Sequence, residues 1–237
     1  MIYKYMSFEQ FVGLVEMQCS YLTRIDKWSD CAEGVILSML LGGVGQKVTE
    51  EIRQVFFSIK SNIFAQCWVN VAEESDAMWR LYASGGGVRI AADEQLIKDT
   101  ISSQHEKAYT VLGLSEVWYS DQVNLIKGLS LACIDETLIR WAVSLKRKAF
   151  EYEKECRFIV CDSTMVDFLK NTNIPTTQKI KQLKLLHNHR YEHIPYRFPL
   201  EAISEVVLAP GCKTYQKNVF KPYCDNHNLN GKISILY

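Results

Sequence analysis

No pair of cysteines in this chain has the Cys-x-x-Cys spacing, although the chain holds eight of them, at 19, 31, 67, 133, 156, 161, 212 and 224. That absence argues against a disulfide framework. Several of the thiols lie inside apolar runs such as 63–69, as buried free cysteines of a reducing compartment do. No stretch approaches the 18 apolar residues of a membrane span, and the start, Met1 to Tyr5, lacks the apolar region of a signal peptide. A cytoplasmic location with no membrane partner is therefore expected. Charge of one sign is not in excess either: Lys+Arg and Asp+Glu are both 27. A general nucleic-acid binder needs a positive surplus to neutralise phosphates, so that class is disfavoured, although a local basic patch is still allowed. No internal period, low-complexity tract or linker divides residues 1–237, and a single domain of α+β class is expected.

Local patterns give the elements. Residues 2–5 read as a strand, and Ser7 with Gln10 forms a capping box for a helix with Phe8, Phe11, Leu14 and Val15 on one stripe. Strands are expected near 20–24, at 63–71, at 88–92, within 107–119, at 153–161, at 205–208 and at 233–236. Helices are expected at 35–41, at 49–60, from a Ser75 cap through Tyr82, after Asp93, and over most of 122–150. Strands and helices mix without a strict βαβ rhythm, which favours mixed or antiparallel sheets flanked by helices over a doubly wound sheet.

The residues with most chemical content are Glu153-Lys154-Glu155-Cys156-Arg157. In a strand, Glu153, Glu155 and Arg157 share one face, either as a solvated ion pair or as a fixed acidic pair. Lys4 stands between Tyr3 and Tyr5 and faces outward or into a cleft, where it would meet a phosphate or ribose. Met78-Trp79-Arg80-Leu81-Tyr82 precedes three glycines at 85–87. Tyr82 could stack on a ring and Arg80 meet a phosphate, whereas aromatics at helical spacing more often serve the core. Trp28, Ser29, Asp30 and Glu33 form a polar loop in which Asp30 is either a helix cap or a site residue. His187, His189 and His193 invite a zinc reading, but no Asp, Glu or Cys pattern accompanies them, so no metal is expected.

Taken together, several segments resemble a bacterial family known only as domain of unknown function 2971. They are residues 2–5, 22–30 with Glu33 and Gly34, Cys67-Trp68, 78–82, 87–90, Lys146-Arg147 and 150–157. Where that family has Asn-Asp-Pro after its second strand, this chain has Ser29-Asp30-Cys31. The layout is in turn similar to that of ADP-ribosyltransferases, which set a basic residue on the first strand, a Ser or Tyr on a later one and a Glu on a late strand. By that resemblance Lys4, Tyr82 and the pair Glu153 and Glu155 occupy those stations. It implies an enzyme that takes NAD as substrate, with Glu155, Glu153 and Tyr82 catalytic, and with Lys4, Tyr5, Trp28, Asp30, Trp79, Arg80 and Arg157 binding the dinucleotide. ADP-ribose would pass to water or to a protein or nucleic-acid acceptor, as in a toxin or phage-defence effector with an antitoxin or accessory partner. Two alternatives stay open: a non-catalytic binding or regulatory domain of the same fold, and a metal-dependent hydrolase of nucleic acid. Convergence of Lys4, Trp28, Asp30, Tyr82 and Glu155 on one pocket is the expectation that the structure can test.

Overall fold

The computed structural model describes residues 1–28, 50–105, 108–120, 139, 140, 143–171, 173, 174, 176–183, 185, 186 and 191–236. Its framework is one mixed, mostly antiparallel nine-stranded sheet flanked by helices. Strand β1 (Ile2–Met6) runs into helix α1 (Phe8–Met17), whose first turn is closed by the expected capping box: Gln10 N donates to Ser7 Oγ, and Ser7 N to Gln10 Oε1. Phe11, Leu14 and Val15 form its buried stripe, and Gln18 in the left-handed conformation (φ 45°) ends it. Strand β2 (Cys19–Arg24) follows, then helix α2 (Glu50–Ser61) and strand β3 (Ile63–Val69). Ser75 caps helix α3 (Asp76–Tyr82), and strand β4 (Val88–Ala92) is buried throughout.

Asp93 Oδ1 accepts from the Gln95 and Leu96 amides and starts helix α4 (Glu94–His105). Strands β5 (Tyr109–Glu116) and the two-residue β6 (Trp118–Tyr119) come next. The C-terminal part adds β7 (Leu145–Lys146), β8 (Glu155–Asp162), helices α5 (Ser163–Lys170) and α6 (Thr176–Leu183), β9 (His193–Arg197), β10 (Ile203–Leu208), α7 (Thr214–Asn226) and β11 (Gly231–Ile233). The expected helix at 35–41 lies outside the described residues.

The sheet forks at β3. One edge of β3 is paired along its whole length with β8, from Ile63↔Cys161 to Val69↔Glu155, and β5 pairs with the far edge of β8. The other edge of β3 is shared. β2 takes its first half through Thr23↔Ala65 and Arg24↔Phe64, while β1 meets it at Tyr3↔Val69. β1 continues into β4, β10 and β11, and β2 into β9, so two branches part on either side of Cys67. Apolar side chains cover both faces: Phe64, Trp68, Cys156, Phe158 and Val160 point into one cluster with α1 and α7, and Ile63, Ala65, Ile159 and Cys161 into another with α5. Among the described residues no helix is long and apolar enough to cross a membrane.

Three expectations need correction. The helix expected over most of 122–150 lies largely outside the described residues, and those at 139, 140 and 143 are helical, but the chain leaves the helix before Leu145. Leu145–Lys146 is extended, paired in parallel with Trp118–Tyr119, and 148–153 is a 3-10 turn. The strand expected from Glu153 begins only at Glu155, because Lys154, in the left-handed conformation (φ 44°), turns the chain between the 3-10 turn and the strand. Finally, the last strand lies at 231–233 rather than 233–236.

Candidate functional site

The fork opens a cleft. Its inner part, about 300 Å³, is lined by Tyr3, Lys4 and Tyr5 of β1, Trp28 after β2, Cys67 to Val69 of β3, Met78 and Tyr82 of α3, Lys146 of β7, and Phe150, Glu153 and Glu155. An adjoining groove of about 810 Å³ shares Lys4, Tyr5, Trp28, Cys67, Trp68 and Tyr82 with it and continues along α1 and β2 past Ser7, Gln10, Ser20 and Gln66. Lys4, Trp28, Tyr82 and Glu155 therefore converge as expected, from segments far apart in the chain. Asp30 lies outside the described residues.

At the fork the backbone has to be satisfied by something other than a neighbouring strand. Lys4 Nζ donates to the Cys67 carbonyl at 2.8 Å and lies over the Trp68 ring at 5.4 Å from its centroid. Burial lowers the pKa of this ammonium, and the nearby Cys67 and Glu155 only partly offset that.

The acidic end is a connected network. Lys146 Nζ donates to Glu153 Oε2 at 2.6 Å and to Glu155 Oε2 at 3.1 Å. Arg157 grips Glu155 with both arms, Nε to Oε1 at 2.9 Å and Nη2 to Oε2 at 3.0 Å, while its Nη1 donates to the Val143 carbonyl. Its guanidinium also lies 4.4 Å from the Trp28 ring centroid, so one cation fixes a carboxylate and an aromatic wall together. Tyr82 Oη donates to Glu153 Oε1 at 3.0 Å, and the Glu155 amide donates to Tyr119 Oη at 2.7 Å. Glu153 and Glu155 are buried, at 5% and 6% exposure, where a carboxylate without such partners would be costly.

Burial alone would raise the Glu155 pKa, but the charge and hydrogen bonds of Arg157, with Lys146, outweigh it and hold the carboxyl at about 2. Burial and the Glu153 carboxylate push the Tyr82 phenol above its ordinary range, so it stays a neutral donor. Burial, then Glu155, likewise keeps the Cys67 thiol protonated.

Not every candidate reaches the cleft. Tyr5 contributes a wall, with its hydroxyl accepting from the Ser75 amide and its ring edge-on to Trp79 at 4.8 Å. Trp79 itself turns into the core on the far side of Tyr5 and donates to Glu74 at 3.0 Å. Arg80 points to solvent and pairs with Asp76 one turn away at 2.7 Å. The phase of α3 explains both: Met78 and Tyr82, four residues apart, take the cleft face, and Trp79 and Arg80 the next two sides. Arg157 lies behind Glu155 rather than on the cleft wall. Lys146 is the residue that sequence reasoning left without a role. Its only signal was its place in the Lys146-Arg147 piece just ahead of the acidic motif.

His193 is on β9, with its ring nitrogen Nδ1 3.2 Å from Thr23 Oγ1, and His187 and His189 lie outside the described residues. Among the described residues no three His, Cys, Asp or Glu side chains gather in a way that could hold a metal ion. Cys19, Cys67, Cys156, Cys161, Cys212 and Cys224 are free thiols.

The fold is thus α+β, with an aromatic cleft at a sheet fork and a buried, cation-bridged carboxylate pair at its end. Residues 78–158, which run from α3 into β8 and carry Met78, Tyr82, Lys146, Glu153 and Glu155, match the model of a family described as Protein of unknown function (DUF2971). No curated protein and no solved structure matches the chain.

Proposed function

We propose that the cleft binds NAD and breaks its nicotinamide–ribose bond, passing ADP-ribose to water or to a macromolecular acceptor. One observation carries this reading: Lys4, Trp28, Tyr82, Glu153 and Glu155, brought from separate elements, border one cavity in which a carboxylate is held ionised beside aromatic rings. Departure of nicotinamide leaves positive charge on the ribose, and a fixed, desolvated carboxylate stabilises that charge more than water does. Trp28, Tyr82 and Phe150 offer faces for the rings of the dinucleotide, and Lys4 a cation at the junction with the outer groove. The acceptor and any effector role, with an antitoxin or accessory protein as partner, belong to the same proposal.

A second reading has its own observation. Both oxygens of Glu155 are engaged by Arg157, an arrangement that also suits a structural cluster in a non-catalytic binding domain. Incubation with NAD, with released nicotinamide quantified by chromatography, separates the two. Turnover is expected in the wild-type protein, and Glu155→Gln, shown by circular dichroism to be folded, should lose about 100- to 1000-fold in rate. NAD binding detected by calorimetry without nicotinamide release would favour the binding domain. A folded Glu155→Gln protein with unchanged turnover would remove Glu155 from the chemistry.

A further inference from the structure

The two carboxylates are not equivalent. Glu155 receives Arg157 Nε on one oxygen and Arg157 Nη2 and Lys146 Nζ on the other, which together take three of the roughly four acceptor positions of a carboxylate. Glu153, among the described residues, receives Lys146 Nζ on one oxygen and the Tyr82 hydroxyl on the other, which leaves a lone-pair direction on each. Glu153 also follows from a 3-10 turn rather than from the buried strand, and it lines the inner cavity.

The separation of the pair adds a second constraint. One ammonium touches both Oε2 atoms, at 2.6 and 3.1 Å, so even end to end these two contacts keep the atoms within about 5.7 Å of each other. That is less than the roughly 6.5–9.5 Å at which a pair of carboxylates leaves room for an activated water, so no such water fits between Glu153 and Glu155.

From these two observations, and resting on the proposal that the cleft splits NAD, we infer that Glu153 is the nucleophile of a double displacement. Product therefore leaves with the anomeric configuration of NAD. A Glu153 oxygen forms a bond to ribose C1′ as the bond from C1′ to nicotinamide breaks. The bonding pair returns to the ring nitrogen, so nicotinamide departs neutral and needs no proton. The acceptor then attacks C1′ from the vacated face, the Glu153 carboxylate leaves, and the acceptor's proton passes to solvent. Two inversions give net retention. Glu155 is a positioning residue here: held by Arg157, it fixes Lys146, and Lys146 fixes the Glu153 oxygen.

The experiment is turnover of NAD by the wild-type protein in water containing methanol, with the methyl ADP-riboside identified by proton NMR. The β-anomer, the configuration of NAD, is expected; the α-anomer overturns the inference while leaving NAD cleavage intact. In parallel, an NAD analogue carrying fluorine in the arabino position at C2′ should slow the second displacement, and peptide mass spectrometry should find its ADP-ribosyl adduct on Glu153. An adduct on Glu155 or elsewhere overturns the assignment. Glu153→Gln should form no adduct and release nicotinamide at least about 100-fold more slowly. Failure of the wild-type protein to release any nicotinamide would overturn the functional proposal and this inference with it.

Discussion

Acid should weaken this fold through one identifiable group. The Glu155 carboxyl sits at about 2 in the folded chain against 4.5 for an unconstrained glutamate, with burial opposed and outweighed by Arg157 and Lys146. A depressed carboxyl pKa means that the folded state binds the proton less readily than the unfolded state. Its stabilisation is therefore complete above the unfolded value, near pH 4.5, and is lost as pH falls towards 2. At about 1.4 kcal/mol per unit, the contribution at neutral pH is about 3 kcal/mol, a sizeable share of the total stability of an ordinary domain.

The perturbation is Glu155→Gln, which keeps the shape and leaves Arg157 and Lys146 facing a neutral amide. Urea unfolding followed by tryptophan fluorescence, at pH steps from 7 down to 2.5, gives the wild-type and variant curves. At pH 7 the variant should be less stable by about 3 kcal/mol, with the upper end set by the roughly 3–5 kcal/mol of a broken buried pair. Below pH 4.5 the gap should close, since the wild-type protein then loses what the variant has already lost. Added salt should leave the gap at neutral pH nearly unchanged, because a buried pair is little screened. A gap that stays constant from pH 7 to 2.5 would refute the assignment of acid sensitivity to this network.

Three other perturbations test the frame around the site. Ser7→Ala removes the capping box of α1 and should cost about 1 kcal/mol in urea unfolding. Gly87→Ala would put a Cβ 2.3 Å from the Met6 carbonyl oxygen and 2.8 Å from Ala83 Cα, both backbone atoms, so thermal unfolding should show a loss of about 1–3 kcal/mol. Lys4→Met keeps the stem over Trp68 but leaves the Cys67 carbonyl without its donor, so stability should fall by about 1–3 kcal/mol and calorimetry should show ADP-ribose binding about tenfold weaker or more.

The sequence was most informative where structure is decided locally. The caps at Ser7, Ser75 and Asp93 and the buried strand 88–92 depend on residues within a few positions of one another, and each is where its pattern put it. Helices α5, α6 and α7 were not anticipated. α7 carries Pro222 inside it and is polar on most sides, so its buried face reduces to residues such as Phe220 and Cys224. That is too sparse a stripe to announce a helix without knowing that α1 and β11 lie against it. Lys146 was hidden for a different reason: its strand is two residues long and exists only through pairing with Trp118–Tyr119. Glu153 borders the cleft, but not by the route its sequence pattern suggested. It is not on the strand face at all, but the left-handed turn at Lys154 swings it back towards Lys146.

The fork explains why such a site needs segments from the whole chain. An edge shared by β1 and β2 leaves the middle of β3 without a continuous ladder, and a backbone carbonyl buried there must find a donor. Lys4 supplies it, which brings a cation into an aromatic recess and makes a counter-charge favourable nearby. Glu155 lies across β3, paired in register with Val69, and is buried between strands on both sides, so it needs cations of its own. Arg157, two residues on and on the same face, and Lys146, from β7, meet that need. Lys146 in turn draws Glu153 into the recess, and Glu153 takes the Tyr82 hydroxyl. Each side chain is fixed by the previous one, and the strands beneath them are packed on both faces. A ligand entering the cleft therefore meets charges that are already oriented, which is the condition under which electrostatic stabilisation of a transition state is strongest.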